Sequence, residues 1–547
     1  MKRFNKVYLV IAAVVLCVVL FIGIKASSSA MKENPKDETV SAISYDTAEF
    51  ENVTRNKGDM SKKQGVYYEI FVRSFADSNG DGIGDLKGVT QKLDYLKDLG
   101  IDGIWLMPIT SSPSYHGYDV TDYYSINSAY GTEEDFKNLL SEAHKKNIKV
   151  IMDFVINHTS NQHPWFKEAL SNPDSKYRNY YRWVSDDDTE NYSKDDKSPW
   201  GSEVWHPGFD AEYYGIFSAE MPDLNYNNEE VRTEIKSAAK KWLDLGIDGF
   251  RLDAAIHIYG DNEFKKQKSN LDSNIQWWNE FASYCETINP DVYLVGETWN
   301  DLNTLPEYVQ PFDTKFNFAV EQNILNAVSK NKSETKDKKD LSKMINDVYE
   351  KYDSIDTKYL DGVFGSNHDM DRIMSQVKTD EKARLVANIY MTLKGNPYIY
   401  YGEELGMKGR GSDPQKRTPF IWSTSDNSMN TSWEPDMMNK KTNPLDAQIN
   451  DNNSMYNFYK NLISVRKNNP ELITGKYKNI ELDNKSILGY VRELDGKKVY
   501  VFHNLSDKPV SFNSPYDVNN IIYAYGDNTS GSGKSINIGK DGTIIFK

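Results

Sequence analysis

Three acidic residues stand in similar settings at distant points of the chain. Asp253, Glu297 and Asp369 each lie at or just beyond the end of a short run of β-branched, aromatic or other apolar residues. A lone carboxylate in such a place is usually a helix cap or one half of an ion pair. Three that come from independent segments indicate a catalytic centre, because paired carboxylates can serve as nucleophile and as proton donor.

The neighbours of these acids predict different protonation states for them. Arg251 lies two residues before Asp253, so on a strand both side chains point to the same side. A fixed guanidinium beside Asp253 favours the ionised form that a nucleophile needs. Glu297 is expected to lie among other acids, and this crowding should raise its pKa, which suits a general acid. The pattern is that of the carboxylate pair in glycoside hydrolysis.

Short strand-like runs alternate with amphipathic helical patterns through most of the chain. Repeated alternation predicts an α/β fold with a parallel sheet, and eight units predict closure into a (β/α)8 TIM barrel. A doubly wound open sheet is the alternative, but no glycine-rich phosphate fingerprint follows any run. The predicted strands are 66–72, 101–108, 149–157, 248–254, 292–299, 314–320, 360–369 and 396–406, and the predicted helices are about 86–99, 133–147, 228–245, 273–287 and 454–467.

The barrel prediction explains how distant acids could meet. Barrel enzymes carry their catalytic groups at the C-terminal ends of the strands, where the loops converge on one face. Asp253 and Glu297 end the predicted fourth and fifth strands, and His368 and Asp369 end the seventh. The third strand contributes Asp153 to the same face. We therefore expect these side chains to share one mouth.

The N-terminus predicts export. Lys2, Arg3 and Lys6 precede an uncharged run at 7–24, so residues 1–30 are interpreted as a signal peptide or a membrane anchor. We expect an extracellular protein, secreted or tethered through 7–24 to the outer face of the cell membrane. The other predicted segments are a linker at 31–60, the barrel at 61–158 and 221–470, an inserted subdomain after strand three at 159–220, and a C-terminal antiparallel β domain at 471–547.

The composition narrows the class of partner. The net charge of −15 argues against nucleic-acid binding, which requires a basic surface. The two cysteines are Cys17 and Cys285, and the first lies in the predicted export segment, so no structural disulfide is expected. We expect a monomer.

An acidic, glycine-rich loop follows the first predicted strand. In DSNGDGIGD, residues 77–85, the side chains of Asp77, Asn79, Asp81 and Asp85 offer oxygen atoms at alternate positions. Interleaved glycines permit tight curvature, and loops that bind hard cations combine these two properties. The alternative is a solvated acidic turn, because the twelve-residue helix–loop–helix spacing is absent.

Several segments resemble the signature regions of a known family. They are DFVINH (153–158), GFRLDAAIH (249–257), GETW (296–299), FGSNHD (364–369), MPDLN (221–225) and HGYDVTDYY (116–124). In this order they are similar to the motifs of the α-amylase family of retaining α-glycoside hydrolases, over about residues 65–470. The resemblance implies the same barrel fold and an α-glucan polysaccharide or oligosaccharide as substrate.

The resemblance also implies roles for single residues. Asp253 would form the covalent β-glucosyl intermediate, Glu297 would protonate the leaving oxygen and then deprotonate water, and Asp369 would bind hydroxyls of the distorted sugar. Tyr118 would stack on that sugar, and His257 would serve the leaving-group side. The residues implied in substrate binding are His116, Tyr118, Asp119, His158, Arg251, His257, His368 and Arg417.

Calcium is the cofactor that the resemblance implies. Ca²⁺ would lie in the loop at 77–85, where the main-chain carbonyl of Ile83 would join the four side chains named above. Many relatives hold a further calcium between the barrel and the insertion. Ile256 replaces the lysine that commonly precedes the histidine there, so a second site is left open.

Two patterns point to opposite substrate preferences. Asp119 and Arg417 resemble a pair that grips the terminal sugar in exo-acting α-glucosidases. By contrast, MPDLN differs from the QPDLN of typical oligo-1,6-glucosidases. Four rings of the insertion could stack on a polymer or could form a small core; they are Trp200, Trp205, Tyr213 and Tyr214.

We therefore predict an α-amylase that cleaves α-1,4 bonds in starch and maltooligosaccharides. The alternatives are an exo-acting α-glucosidase or oligo-1,6-glucosidase, and a transglycosylase or isomerase on the same scaffold. A non-catalytic barrel that accompanies a transporter is disfavoured, because it would have no reason to keep so many polar groups in one mouth.

Overall fold

The computed structural model describes residues 55–184, 196–259, 270–299, 305–426 and 428–547. The predicted export segment at 1–30 and the linker positions 31–54 lie outside these ranges. Within the described ranges, no helix combines the length and the apolar character that a membrane crossing requires.

Eight parallel strands close into a barrel, which confirms the predicted fold. Each strand pairs with its neighbours in chain order, and the ring is completed where the first strand pairs with the eighth. The strands, β1 to β8, are Tyr67–Ile70, Gly103–Leu106, Lys149–Phe154, Gly249–Leu252, Tyr293–Gly296, Thr314–Phe316, Leu360–Phe364 and Asn396–Tyr400.

The strands are shorter at their C-terminal ends than predicted. The predicted strand 314–320 already enters a helix at Phe318, and the predicted strand 396–406 includes the 3₁₀ helix Glu403–Leu405. These residues leave the strand ladder and build the mouth of the barrel. A helix was also expected between β5 and β6, but the described residues there contain the 3₁₀ helix Leu305–Val309 instead.

Amphipathic helices surround the barrel. Glu133–Lys145 is typical: Thr132 and Asp135 form a capping box at its start, and its apolar face is buried. The predicted helix 86–99 is two helices that meet at Lys92. The α-helices are Val72–Phe75, Leu86–Gln91, Leu93–Leu99, Glu133–Lys145, Pro164–Ser171, Glu229–Asp244, Asn270–Ile288, Phe318–Lys330, Leu341–Ile355, Ile373–Val377, Asp380–Thr392, Asp413–Lys416, Leu445–Gln448, Met455–Lys467 and Pro470–Thr474.

Side chains of the barrel strands alternate between the interior and the surrounding helices. The interior is filled by Tyr67, Trp105, Ile151, Tyr293, Val295, Phe316, Phe318, Phe364 and Tyr398. Glu69 and Asp153 stand two residues after Tyr67 and Ile151, so they also point inward, nearer the mouth. Arg251 joins them, because β4 pairs with β3 through Arg251 and Asp153. The strands thus hold a polar layer directly above an apolar floor.

The insertion carries a small sheet and a core of its own. Its strands Trp183–Val184, Trp205–Pro207 and Glu212–Tyr214 pair antiparallel. Of the four rings noted in the sequence, those of Trp205, Tyr213 and Tyr214 are buried, whereas Trp200 is 50% exposed. Trp205 and Tyr214 belong to the insertion's own core, whereas Tyr213 packs into the main core of the protein.

The C-terminal region is an antiparallel β domain, as predicted. Five of its strands form one sheet, and the other two pair with each other. The strands are Lys476–Asn479, Ile487–Leu494, Lys497–Asn504, Val510–Val518, Ile521–Tyr525, Ser530–Ile538 and Thr543–Phe546. The two sheets share an apolar core that includes Val491, Phe502, Ile536 and Phe546.

Candidate active site

Arg251 joins two carboxylates at the mouth of the barrel. Its Nη1 donates to Oδ1 of Asp153 at 2.8 Å and to Oδ1 of Asp253 at 2.5 Å. The guanidinium is fully buried and lies 5.2 Å from the centre of the Trp105 ring. Because β4 ends at Leu252, Asp253 is the first residue beyond the strand, and Arg251 fixes its orientation.

Burial dominates the protonation of Asp253. Removal from water raises the pKa of Asp253 to about 6; Arg251 opposes this shift, and the neighbouring Asp153 adds to it. Arg251 lowers the pKa of Asp253, as the sequence predicted, but burial and the second acid outweigh the guanidinium. Above about pH 6 the carboxylate is still ionised.

Glu297 lies beside the same guanidinium. Its Oε2 accepts a hydrogen bond from the N–H of Ala254 at 2.9 Å and lies 2.9 Å from Nη2 of Arg251. Burial raises the pKa of Glu297 to about 7, with further upward contributions from Asp253 and Asp369 against the effect of Arg251. The predicted increase is confirmed, but burial contributes more than the crowding of acids. Near neutral pH a large fraction of Glu297 carries a proton.

Asp369 lies between two cationic side chains. Nη2 of Arg417 donates to its Oδ1 at 2.8 Å, and Nε2 of His368 lies 3.1 Å from its Oδ2. Burial alone would raise the pKa of Asp369, but His368 and Arg417 outweigh it and hold the pKa far below its usual range. Asp369 is therefore an anion throughout the pH range in which Asp253 and Glu297 titrate.

A chain of polar contacts runs beneath the mouth. Nδ1 of His368 lies 2.6 Å from Oε1 of Glu69, and its Nε2 lies 2.5 Å from the hydroxyl of Tyr118, which donates to Asp153 at 3.0 Å. Burial lowers the pKa of His368, but Asp369 and Glu69 more than offset this and raise it to about 10. His368 is therefore an imidazolium whose ring also stacks on that of Tyr118 at 5.5 Å.

Sequence reasoning missed Glu69. Its signal was present, because it is the one charged residue in the otherwise apolar run VYYEIFV and it is 1% exposed. A charge in a strand with two buried faces requires a partner, which here is His368.

Asp119 and Arg417, which the sequence suggested as a pair that grips a terminal sugar, have separate partners. Oδ1 of Asp119 accepts hydrogen bonds from the hydroxyls of Ser112, at 2.7 Å, and Ser114. Arg417 donates instead to Asp369 and, at 3.0 Å, to the carbonyl of His368. Asp119 is thus held by two serines and Arg417 by an acid, and their joint grip on a terminal sugar stays a prediction.

Two of the predicted histidines support the site wall. His158 is buried, and its Nε2 contacts the carbonyl of Tyr118 at 2.9 Å, while Nδ1 of His116 accepts from the N–H of Tyr118 at 3.1 Å. Burial lowers the pKa of His158 to about 4. The neutral ring therefore holds the backbone that carries Tyr118.

His257 lies apart from this group, next to the insertion. Its ring meets those of Trp200 and Phe217 edge-on, at 5.9 and 5.7 Å. Burial lowers its pKa to about 4.

Trp299, two residues after Glu297, is a further flat ring that the sequence did not single out. It is 45% exposed and stacks on Phe318 at 4.3 Å.

The loop at 77–85 is tightly curved and internally hydrogen-bonded. Asp77 accepts from the N–H groups of Gly80 and Gly82, both at 2.7 Å and both glycines at positive φ. Asp81 accepts from the N–H of Ile83 at 2.8 Å, and Asp85 caps the following helix. In the described part of the chain, no three His, Cys, Asp or Glu side chains are grouped to hold a metal. A cation here would need Asn79 and the Ile83 carbonyl as well.

A cationic side chain lies at the junction of barrel and insertion, where a second calcium was left open. Nη2 of Arg182 donates to the carbonyl of Ile258 at 2.8 Å. Burial raises the pKa of Asp223 to about 7, and the charge of Arg182 opposes this. Arg182 therefore brings a positive charge to this junction.

Residues 69–475 match the family model described as "Alpha amylase, catalytic domain". This chain belongs to the alpha-amylase family of glycoside hydrolases. "Alpha-amylase 3" of Dictyoglomus thermophilum is 42% identical over 493 residues, which cover 89% of this chain and 93% of that protein. The "Oligo-1,6-glucosidase" of Parageobacillus thermoglucosidasius is 34% identical, covering 84% and 92%. A solved α-amylase from H. orenii is 41% identical, with a TM-score of 0.80 over 88% of this chain and 99% of that one.

Membership of the alpha-amylase family establishes an enzyme that acts on glycosidic bonds. An α-glucan substrate is consistent with the family. Relatives with similar coverage carry different activity names, so the linkage and the mode of attack have to be argued from this chain's own site.

Proposed function

We propose that this alpha-amylase-family enzyme is a retaining hydrolase of α-1,4 bonds in starch and maltooligosaccharides. The observation that carries the proposal is the guanidinium shared by two acids: Nη1 of Arg251 binds Asp253, and Nη2 lies 2.9 Å from Glu297. One acid has a pKa of about 6 and the other of about 7, so between these values one is mostly ionised and the other mostly protonated. Nucleophile and proton donor thus stand side by side.

In the first step, Glu297 passes its proton to the glycosidic oxygen while a carboxylate oxygen of Asp253 attacks the anomeric carbon. The bond to the leaving sugar breaks, that sugar departs with the proton, and a glucosyl ester of Asp253 remains. In the second step, the ionised Glu297 takes a proton from water, whose oxygen attacks the anomeric carbon and releases Asp253. Two inversions leave the anomeric configuration unchanged.

The charges around Asp369 suit a bound sugar. Asp369 is an anion and can accept hydrogen bonds from two hydroxyls, while the imidazolium of His368 can only donate. Tyr118 presents a ring that is stacked on His368 and held by Asp153. We assign this group to the sugar that becomes bonded to Asp253.

The separate partners of Asp119 and Arg417 favour attack within a chain over attack at its end. In the described structure Arg417 is committed to Asp369, and Asp119 to Ser112 and Ser114. The exo-acting alternative requires both residues to grip a terminal sugar and so to close that end of the site. Transglycosylation is the second alternative, because a sugar can replace water in the second step.

We further propose Ca²⁺ for the loop at 77–85, held by Asp77, Asn79, Asp81 and the carbonyl of Ile83, with Asp85 at its end. The positive φ angles of Gly80 and Gly82 support this, since loops that bind hard cations need such tight curvature. When bound, the ion would supply positive charge that holds the loop closed.

We also propose an exported, monomeric enzyme.

Early products on soluble starch test the proposed function. Endo attack on α-1,4 bonds predicts rapid loss of iodine staining, with maltose and longer fragments as the first products. Glucose as the sole early product, released while staining persists, would favour the exo-acting alternative. Sugars longer than the added maltooligosaccharide would favour transglycosylation.

A further inference from the structure

Ala254 follows Asp253 in a conformation that alanine rarely adopts. Its φ is +48°, in the left-handed region, and the residue is 4% exposed. Such a conformation persists only where the surrounding structure over-determines it, and it is found most often at functional sites.

The N–H of Ala254 points to the carboxylate of Glu297, where it donates to Oε2 at 2.9 Å. The adjoining main chain is tied to the same residue. The N–H of Ala255 donates to the carbonyl of Glu297 at 3.1 Å, and the N–H of Glu297 donates to the carbonyl of Leu252 at 3.0 Å. The end of β5 is therefore held in register with the turn that carries Asp253.

Two positive groups meet at one oxygen of Glu297. Oε2 faces both the N–H of Ala254 and Nη2 of Arg251, each at 2.9 Å. A proton on Oε2 would oppose the N–H donor of Ala254 and the nearby guanidinium charge, whereas a proton on Oε1 would not. We propose that Ala254 is a positioning residue whose left-handed N–H holds Oε2 as an acceptor, so that Oε1 gives and takes the catalytic proton. This inference rests on the acid–base role proposed above for Glu297.

The same hydrogen bond bears on the pH dependence of the enzyme. The groups that face Glu297 are Asp253 and Asp369, which raise its pKa beyond the effect of burial, and Arg251 and the Ala254 N–H, which lower it. A donor to the carboxylate stabilises the ionised form. Loss of this N–H should therefore raise the pKa of Glu297.

An amide-to-ester replacement isolates the N–H. Incorporation of lactic acid in place of Ala254 keeps the methyl group and removes the donor. The matched control is the same replacement at Ala255, whose N–H binds the main-chain carbonyl of Glu297. The ester at 254 should move the basic limb of the kcat/KM profile upward by about one pH unit, and the ester at 255 should leave the limb in place.

An unmoved limb in the 254 ester, or an equal shift in the 255 ester, overturns the inference. Should the 254 ester fail to fold, neutron diffraction of the unmodified enzyme near pH 6 provides the second test. A deuteron on Oε1 of Glu297 is expected, and one on Oε2 contradicts the proposal. Glu297→Gln keeps the two claims separate. Turnover in that variant refutes the proposed function. If that variant is inactive but the basic limb of the 254 ester does not move, the Ala254 inference alone is refuted.

Discussion

Oε1 of Glu69 lies 2.6 Å from Nδ1 of His368, although 299 positions separate the two residues in the chain. Strand β1 carries the first, and the loop after β7 carries the second, so the contact exists only once the barrel has formed. It keeps His368 charged beneath the anion Asp369.

Loss of this contact should weaken the pH dependence of stability. The folded pKa of His368 is raised to about 10, above the ordinary value of 6.5. Its stabilising effect is therefore complete below about pH 6.5 and disappears as the pH rises toward 10. Glu69→Gln should lower the folded pKa of His368 and narrow this window. The melting temperatures of the original enzyme and of Glu69→Gln between pH 6 and 10 measure this pH dependence. Identical profiles would show that Glu69 does not set the charge of His368.

Removal of either catalytic acid should abolish turnover and preserve the fold. Asp253→Asn and Glu297→Gln should each lower kcat by at least about 10³-fold, because one variant lacks the nucleophile and the other the proton donor. Circular dichroism and the melting temperature verify the fold. As a matched control, Asp81→Asn changes an acid outside the mouth and should leave kcat within a few-fold of the original. Near-normal turnover in either catalytic variant would sink the assignment.

The activity should follow a narrow bell with its maximum between about pH 6 and 7. The acidic limb reports Asp253, which must be ionised and has a pKa of about 6, and the basic limb reports Glu297, which must be protonated and has a pKa of about 7. The kcat/KM profile on a soluble maltooligosaccharide gives both limbs. A flat profile from pH 5 to 9 would contradict the two roles.

Calcium should affect stability more than chemistry. The loop at 77–85 follows β1, which carries neither catalytic acid. Chelation should lower the melting temperature of the original enzyme, since a ligand that binds the folded state stabilises it by mass action. Asp81→Ala should lower the melting temperature by itself and should no longer respond to chelator. Metal analysis of protein purified without chelator must find calcium, or the loop is merely an acidic turn.

Arg417 and Asp119 should give unequal effects when replaced. Arg417→Ala removes a cation from Asp369 and should lower kcat by roughly 10²-fold, in line with the loss of a buried charged hydrogen bond. Asp119→Ala frees two serine hydroxyls and should mainly change KM for short maltooligosaccharides. Equal losses on every substrate would indicate that the two residues act as one pair after all.

The sequence predicted the barrel well, because eight apolar runs alternate with helix-sized segments. The predicted strands were too long, because apolar residues continue past the last hydrogen bond between the strands. Phe318 and Leu405, for example, belong to helices that follow the strands. The three catalytic acids could be found from their positions at strand ends. Glu69 could have been noticed as a charge in an apolar run, but its partner could not.

Other parts of the site had no usable signal. The resemblance suggested that Asp119 and Arg417 together grip a sugar, but which acid an arginine contacts in the folded protein depends on distances that only the folded loops define. The φ of Ala254 is likewise a property of the turn and not of the residue type, since alanine ordinarily avoids that region.

The most direct test is to trap the covalent intermediate with 5-fluoro-α-glucosyl fluoride and to locate the label by mass spectrometry of the digested protein. The account predicts a fluoroglucosyl ester on the peptide that contains Asp253, specifically on that side chain, and no label in Asp253→Asn. A label on Asp153 or Glu297, or turnover of the reagent without any labelled peptide, would contradict the proposed nucleophile.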